Sequence, residues 1–420
     1  MRLAKAAEFI QRKPRKIDAC NLLSSICEEG LAGSPSYNDL ASHIEANHDK
    51  NPSKQAVAKR MDDSFEKFVQ SLLENAISQK ANLCAAAAMF SSEAFRGYQR
   101  VLVQDSTVIM LPKSLFPVFS GVSNASSSVC NARIQAVYDL MNGRMMAFAI
   151  DPYSKNDLTA APELEICEGD LVLRDRGYLI ADELQRHRDI GADCIYRHKT
   201  GFVYLDVKNR QPVNLPALLR KRGRLDMEVL LNNEAQTRVR LVAAPVDEET
   251  ANKRRMKAKK ETRGHNPSQA VLELMSWTIF ITTIPKSKAT FNEILAMYGL
   301  RWRIEVIFKA WKSHMKFHVV HQVSEIQLKI LLKARLLVIA ACANTLYRFC
   351  GINILANHGR RLSLLKFMKY LSNPSNIIRV VRSISGTQEE MRSIHKVLAK
   401  YCCYDKRRRL NYLEMWDLLH

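Results

Sequence analysis

Three apolar, β-branched or aromatic runs, VLVQDSTVIM (101–110), ARIQAVYDL (132–140) and RMMAFAID (144–151), constrain this chain more than any other feature. Asn142-Gly143 separates the second from the third, and that dipeptide between two such runs predicts a tight hairpin. Three consecutive antiparallel strands are therefore expected. A helical stretch around 159–168, the strand LVLRD (171–175), the helix former YLIADELQRHR and a further strand, ADCIYRH, follow in order. The order β-β-β-α-β-α-β is a meander continued by βαβ units, which requires a mixed sheet with helices on its faces, an α/β fold.

The flanks differ. Residues 1–95 read as helical: Ser36 ahead of YNDLASHIE and Ser53 ahead of KQAVAKRM are N-cap candidates for two short amphipathic helices. Helix-turn-helix spacing would turn Leu40, Ile44, Val57 and Met61 inward and present Lys54, Gln55, Lys59 and Arg60 to a groove and its phosphates. Residues 201–297 return to strands, VYLDV, DMEVLLN, TRVRLVAAPV and WTIFITTI, interrupted by the basic run KRRMKAKKETR. That run is either a solvated loop or a phosphate-binding arm carrying Arg254, Arg255 and Lys257. From 298 the chain is helical again; residues 376–420 carry no readable motif and close with the basic run Lys406 to Arg409.

Charge narrows the partner. Lys and Arg number 63 against 42 Asp and Glu, a formal charge of +21 over 420 residues, which favours a polyanion, with nucleic acid ahead of membrane. The ten cysteines form no CxxC pair or zinc ligand set and read as reduced thiols. MRLAKAAEFIQRKPRK lacks the apolar run of a signal peptide, and Ile330 to Leu346, interrupted by Lys333 and Arg335, falls short of the roughly 20 apolar residues of a membrane span. A soluble protein of a reducing compartment is the expectation.

The sharpest local feature is YGLRWRIEVIFKAWK, 298–312. Read as one helix at 100° per residue, it places Tyr298, Arg301, Glu305, Lys309 and Lys312 within a sector of about 80°. Leu300, Ile304, Ile307, Phe308, Trp311 and Met315 form the opposite, core-facing stripe. Glu305 admits an ordinary role in i,i+4 ion pairs with Arg301 and Lys309, worth about 0.2 to 0.5 kcal/mol each. A phenol, a guanidinium and two ammonium groups around one carboxylate also suit an acid that binds a metal beside a phosphodiester. Two-ion catalysis needs further carboxylates. Asp105 follows the apolar run VLVQ and Asp175 follows LVLR, positions where a strand meets its loops. Asp139, Asp151 and Asp157 read as turn residues.

The set QDST (Asp105), RDRGY (Asp175) and Tyr298-x2-Arg301-x3-Glu305-x6-Lys312 resembles the cut-and-paste DDE transposases of bacterial insertion sequences that carry the Tyr-Arg-Glu-Lys signature. The resemblance implies a ribonuclease H-like mixed-sheet core, 96–200 and 298–375, interrupted by a β-rich insertion domain, 201–297. It also implies a helical DNA-binding domain, 1–95, and a helical C-terminal region, 376–420, for dimerisation. Asp105, Asp175 and Glu305 would hold two Mg²⁺ ions, with Mn²⁺ able to substitute. Tyr298, Arg301, Lys309 and Lys312 would grip phosphates. Trp277, at the head of WTIFITTIP, would help flip a base out of a hairpinned DNA end, although a Trp opening a strand also fits a core position.

The implied activity is excision and integration of an element at its terminal inverted repeats by hydrolysis, hairpin formation and strand transfer. Its partners would be double-stranded DNA of the ends and target and a second copy in a synaptic homodimer, with no membrane, in a bacterial cytoplasm at the nucleoid. A ribonuclease H-like nuclease without strand transfer and a transposase-derived DNA-binding regulator are the rival readings.

Overall fold

The computed structural model describes residues 1–11, 16–78, 95–121, 129–156, 161, 165–261 and 266–405. The N-terminal elements are α1 (Arg2–Ala6), α2 (Ala19–Ala32), α3 (Tyr37–His48), α4 (Lys54–Arg60) and α5 (Asp63–Ser78). Next come β1 (Arg100–Met110), β2 (Asn131–Asp139), β3 (Arg144–Pro152), β4 (Asp170–Arg174), α6 (Ala181–Asp189) and β5 (Asp193–Arg197). They are followed by β6 (Tyr204–Leu205), α7 (Leu215–Arg222), β7 (Leu225–Leu231), β8 (Arg238–Pro245), α8 (Glu248–Glu261), α9 (Gln269–Leu274) and β9 (Trp277–Thr282). The chain closes with α10 (Phe291–Gly299), α11 (Trp302–His314), α12 (Glu325–Ala341), α13 (Arg348–His358), α14 (Leu364–Leu371), α15 (Pro374–Ser385) and α16 (Gln388–Tyr401). The mixed α/β class expected from the strand order is the class observed.

The chain divides into two compact units: Met1–Phe90, Ser106–Glu163 and Arg303–Arg408 form the first, and Ser91–Asp105, Leu164–Trp302 and Arg409–His420 the second. In the first unit the caps fall where the sequence placed them. Ser36 accepts from the Asp39 N–H while the Asp39 carboxylate accepts from the Ser36 N–H, and Ser53 accepts from the Ala56 N–H. Leu40, Ile44, Val57 and Met61 are all buried, packed with Phe9, Phe65, Phe68 and Leu331. The apolar run from Ile330 is thus core: α12 lies among these helices and continues through a π turn, Cys342–Tyr347. Its Arg335 is buried, and its guanidinium donates to the carbonyls of Gly30, Gly33, Phe317 and Val319. Among the described residues no helix is long and apolar enough to cross a membrane.

The hairpin is present. β2 and β3 pair antiparallel, and the buried Asp139 carboxylate accepts from the Met141 and Asn142 N–H groups and the Asn142 amide. Gly143 sits at φ 64°, the left-handed region that makes glycine the residue of choice there. On β3, Phe148 meets Trp311 of α11 with ring centroids 5.8 Å apart. Asp151, read as a turn residue, instead lies in β3 opposite Arg133 and pairs with Lys155; Asp157 lies outside the described residues.

In the second unit the strands run in the order β1-β4-β5-β9-β8-β7-β6. β1, β4 and β5 are parallel; β9 then pairs antiparallel with β5, and β8 and β7 follow antiparallel. The strands expected at 201–297 therefore continue this sheet through the free edge of β5. Two local expectations change. Residues 253–261 of the basic run are helical, within α8, so the loop reading fails: Ala251 is buried, and Arg254 and Arg255 fasten the helix to the start of β9. Half of the stretch expected to be helical at 159–168 lies outside the described residues, and Glu165, Ile166 and Cys167 have no regular structure. The nine described cysteines are free thiols, most of them buried; Cys84 and the run Lys406–Arg409 lie outside the described residues.

Candidate active site

Asp105 and Asp175 come together through strand register, although only Asp175, directly after β4, lies where a strand meets its loop; Asp105, expected at such a junction, lies within β1, which runs on to Met110. β1 and β4 are parallel neighbours with Gln104 opposite Arg174, so the next residue on each chain is a carboxylate, on backbones about 4.8 Å apart. All five residues of β4 are buried, and its ends are pinned by polar contacts. Asp170 receives Arg100 Nε at 2.8 Å, and Arg174 Nη1 reaches the Tyr196 hydroxyl at 3.1 Å and Glu183 at 3.4 Å. Asp175 then leads into a single 3₁₀ turn, Arg176–Tyr178, where the chain leaves the sheet.

The two carboxylates are held by different chemistry. Arg301 Nη1 donates to Asp105 Oδ2 at 2.8 Å, with side chains only 14% and 21% exposed. The Tyr298 hydroxyl donates to Asp175 Oδ1 at 3.3 Å. Tyr298 packs on Phe280 with centroids 4.3 Å apart, and burial pushes its phenol well above the usual range, so it remains a neutral donor. Two neighbouring carboxylates are an oxygen donor set suited to a hard divalent cation. Among the described residues no group of three or more His, Cys, Asp or Glu side chains is gathered to hold a metal ion.

The segment 298–312 is not one helix, which corrects the single-sector picture of its five polar residues. α10 ends at Gly299, a poor helix former, and the Leu300 and Arg301 N–H groups bond the Met297 and Tyr298 carbonyls three residues back. The tightened turn sends Tyr298 and Arg301 to the two aspartates. α11 then starts afresh, with Glu305 and Lys309 exposed and Ile304, Ile307, Phe308 and Trp311 buried, so the apolar stripe is as read. Lys312 donates to the Val108 carbonyl at 2.7 Å, and burial lowers its pKa.

A cavity of about 430 Å³ opens in the second unit, lined by Arg176, Arg197, Arg254, Lys257, Met275 and Trp277 among others. Arg176 directly follows Asp175. Arg197 acts electrostatically on both Tyr298 and Arg254, which ties the cavity to the carboxylate end of the sheet. Trp277 is partly exposed at the first position of β9, and Arg254 holds its carbonyl at 2.9 Å. Arg255 is occupied by Ser276, Asn252 and Glu248, whereas Lys257 borders the cavity. Sequence reading missed Arg176 and Arg197, although RDRGY and CIYRH place them at strand ends, and it missed Trp302, 59% exposed beside Arg301.

On α4, Lys54, Gln55 and Lys59 are exposed. Arg60 is committed elsewhere: its guanidinium lies 3.8 Å over the Phe9 ring and donates to the Phe9 carbonyl at 2.6 Å.

Two carboxylates on neighbouring parallel chains, beside a cavity lined by cations and Trp277, suit an enzyme that acts on a polyanion. Residues 97–340, more than half of the chain, match the family described as Transposase DDE domain, and the chain belongs to that family. It is 28% identical over 392 residues to the transposase for insertion sequence element IS231D of Bacillus thuringiensis subsp. finitimus, covering 87% of this chain and 80% of that protein. It is 27% identical over 390 residues to the transposase for insertion sequence element IS231B of Bacillus thuringiensis subsp. berliner, with the same coverage. Among solved structures, a piggyBac transposase synaptic complex with hairpin DNA matches 94% of this chain and 81% of that one at 10% identity and a TM-score of 0.40. The protein is thus an insertion-sequence transposase of the DDE family, an enzyme that acts on DNA with a divalent metal ion.

Proposed function

We propose that this transposase cuts an insertion sequence out of DNA at its terminal inverted repeats through a hairpin intermediate and joins the freed 3′ ends to a target. The adjacency of Asp105, within β1, and Asp175, directly after its parallel neighbour β4, carries the reading. The parallel strands β1, β4 and β5, with the β2–β3 hairpin, support a ribonuclease H-like core. Asp105, Asp175 and Glu305 would hold two divalent ions, Mg²⁺ by preference and Mn²⁺ as substitute, which when bound lower the pKa of water and stabilise the leaving oxygen.

The chain's own residues then have separate tasks. Tyr298 keeps Asp175 oriented without adding charge, Arg301 and Lys309 contact phosphates near the cut, and Lys312 braces β1. Trp277 offers a stacking face for an extruded base, in a cavity whose cations suit the attached phosphate. Trp302 is a second exposed aromatic surface for DNA. Lys54, Gln55 and Lys59 position a duplex, with Arg60 holding α4 in place; Lys257 adds a phosphate contact that Arg254 and Arg255 support. Residues 1–95 act as the DNA-binding domain and 201–297 as the insertion between the two parts of the core, 96–200 and 298–375. Residues 376–420 serve dimerisation, a role favoured by the outward Ile378 and Val381 of α15, 44% and 48% exposed.

The test incubates purified protein and Mg²⁺ with a plasmid carrying the gene and its native flanks, beside Glu305→Gln. An excised fragment with hairpin ends, absent with the variant, is expected. Nicking without excision would instead indicate a nuclease, and binding without cleavage a regulator.

A further inference from the structure

The two neighbouring carboxylates, Asp105 and Asp175, differ in one respect that bears on cation uptake. Asp175 is held by a buried phenol, which contributes a hydrogen bond and no charge, whereas Asp105 is held by a guanidinium at 2.8 Å. A full positive charge at contact distance opposes a divalent cation twice: by like-charge repulsion and by occupying a carboxylate oxygen that the cation needs as ligand. Arg301 is not fixed inside a helix. It lies in the two-residue turn between α10 and α11, with Trp302, exposed, next to it. Guanidinium groups pair bidentately with phosphate as well as with carboxylate, so a DNA phosphate is a direct competitor of Asp105 for this side chain.

We propose that Arg301 is a DNA-responsive counterion: it holds Asp105 while no DNA is bound and transfers to a backbone phosphate when DNA arrives, so that DNA binding and cation uptake at the Asp105–Asp175 pair reinforce each other. The inference rests on the reading of that pair as the cation site. Its consequence is economy of reaction: the hydrolytic centre loads its ion only with DNA in place. By linkage, whatever factor DNA contributes to cation affinity, the cation contributes equally to DNA affinity.

The experiment measures Mn²⁺ binding to the full-length protein by the electron paramagnetic resonance signal of free Mn²⁺. Without DNA, Arg301→Ala should bind Mn²⁺ about tenfold more tightly than the wild type. Arg301→Lys, which keeps the charge, should stay near the wild-type value, and Asp105→Asn should lose the tight ion. Arg301→Gln serves as a second neutral variant should Arg301→Ala not fold. With a short duplex of random sequence, and the ions bound by the duplex alone subtracted, wild-type affinity should rise toward that of Arg301→Ala, which itself should not move. Neutral variants no tighter than wild type, or a wild type insensitive to duplex, would overturn the inference while leaving the cation site intact, provided Asp105→Asn still loses the ion. Unchanged binding in Asp105→Asn and in Asp175→Asn would remove the cation site itself.

Discussion

The α3–α4 helix pair and the neighbouring carboxylates Asp105 and Asp175 treat charge in opposite ways. In the helix pair, apolar side chains do the structural work, Leu40, Ile44, Val57 and Met61 being buried, and Lys54 and Lys59 are left exposed. Around the carboxylates the polar contacts themselves are the structure: Arg301 holds Asp105, the neutral Tyr298 holds Asp175, and Arg174 is tied to Glu183 and Tyr196. A region whose charges rest on an apolar base can lose one and keep its shape. In a region built from charges, each loss alters chemistry. On the proposed reading, affinity for DNA and cleavage of DNA are therefore separable by mutation.

Loss of a carboxylate charge should matter most. Asp175→Asn should lower cleavage by at least about a thousandfold, because it removes a ligand charge while keeping size and the Tyr298 contact. DNA affinity in a gel-shift titration without divalent cation, where linkage to the ion plays no part, should stay within about twofold of wild type. A comparable loss of affinity would break the separation. Next in size, Trp277→Ala should leave the first nick intact and slow hairpin formation or opening by about ten- to a hundredfold, the worth of one stacked base. Equal rates for all steps would return Trp277 to a packing role.

These predictions draw unequally on what the sequence made legible. The helix pair was readable because caps and amphipathic spacing act over a few residues, and Ser36 and Ser53 cap where expected. The strands up to β5 were readable for the same reason, whereas Asp105, expected where its strand meets a loop, lies within β1. The break at Gly299–Arg301 was not, since a 100° periodicity cannot register where a chain tightens into a turn. Contacts between distant positions were equally hidden. Arg60 reaches Phe9 across 51 residues, and β9 joins β5 across a gap that contains three further strands, which also conceals the cavity beside Trp277.

The third prediction sharpens the comparison within α4 itself. Lys54→Ala with Lys59→Ala should weaken DNA binding uniformly across sequences and reduce the salt dependence of log affinity by about two units of slope, one per phosphate contact. Thermal stability should not change. Arg60→Ala should do the reverse, costing about 1 to 2 kcal/mol of stability through loss of the Phe9 contacts, with the salt slope nearly intact. A steeper effect of Arg60→Ala on the slope would restore it as a phosphate contact.

The smallest effect concerns acid. Burial depresses His187 from 6.5 to about 3, helped by Arg174 and Arg186, and His198 to about 4. Each is neutral in the folded second unit, where His187 meets the Tyr196 hydroxyl at 3.1 Å and His198 the Tyr204 hydroxyl at 2.6 Å. The unfolded chain takes up these protons near pH 6.5 and the folded chain does not, so the unfolded state binds more protons below that pH. Stability should thus be full above about pH 6.5 and fall as pH drops toward 4, where the His198 contribution is exhausted, with His187 continuing toward 3. His198→Gln keeps a polar partner for Tyr204 and removes one titration. Urea midpoints at pH 7 and pH 5 should therefore lie closer together in this variant than in wild type. An unchanged gap would mean that the His198 imidazole contributes nothing to the acid sensitivity, and the His198–Tyr204 contact would then be a matter of packing alone.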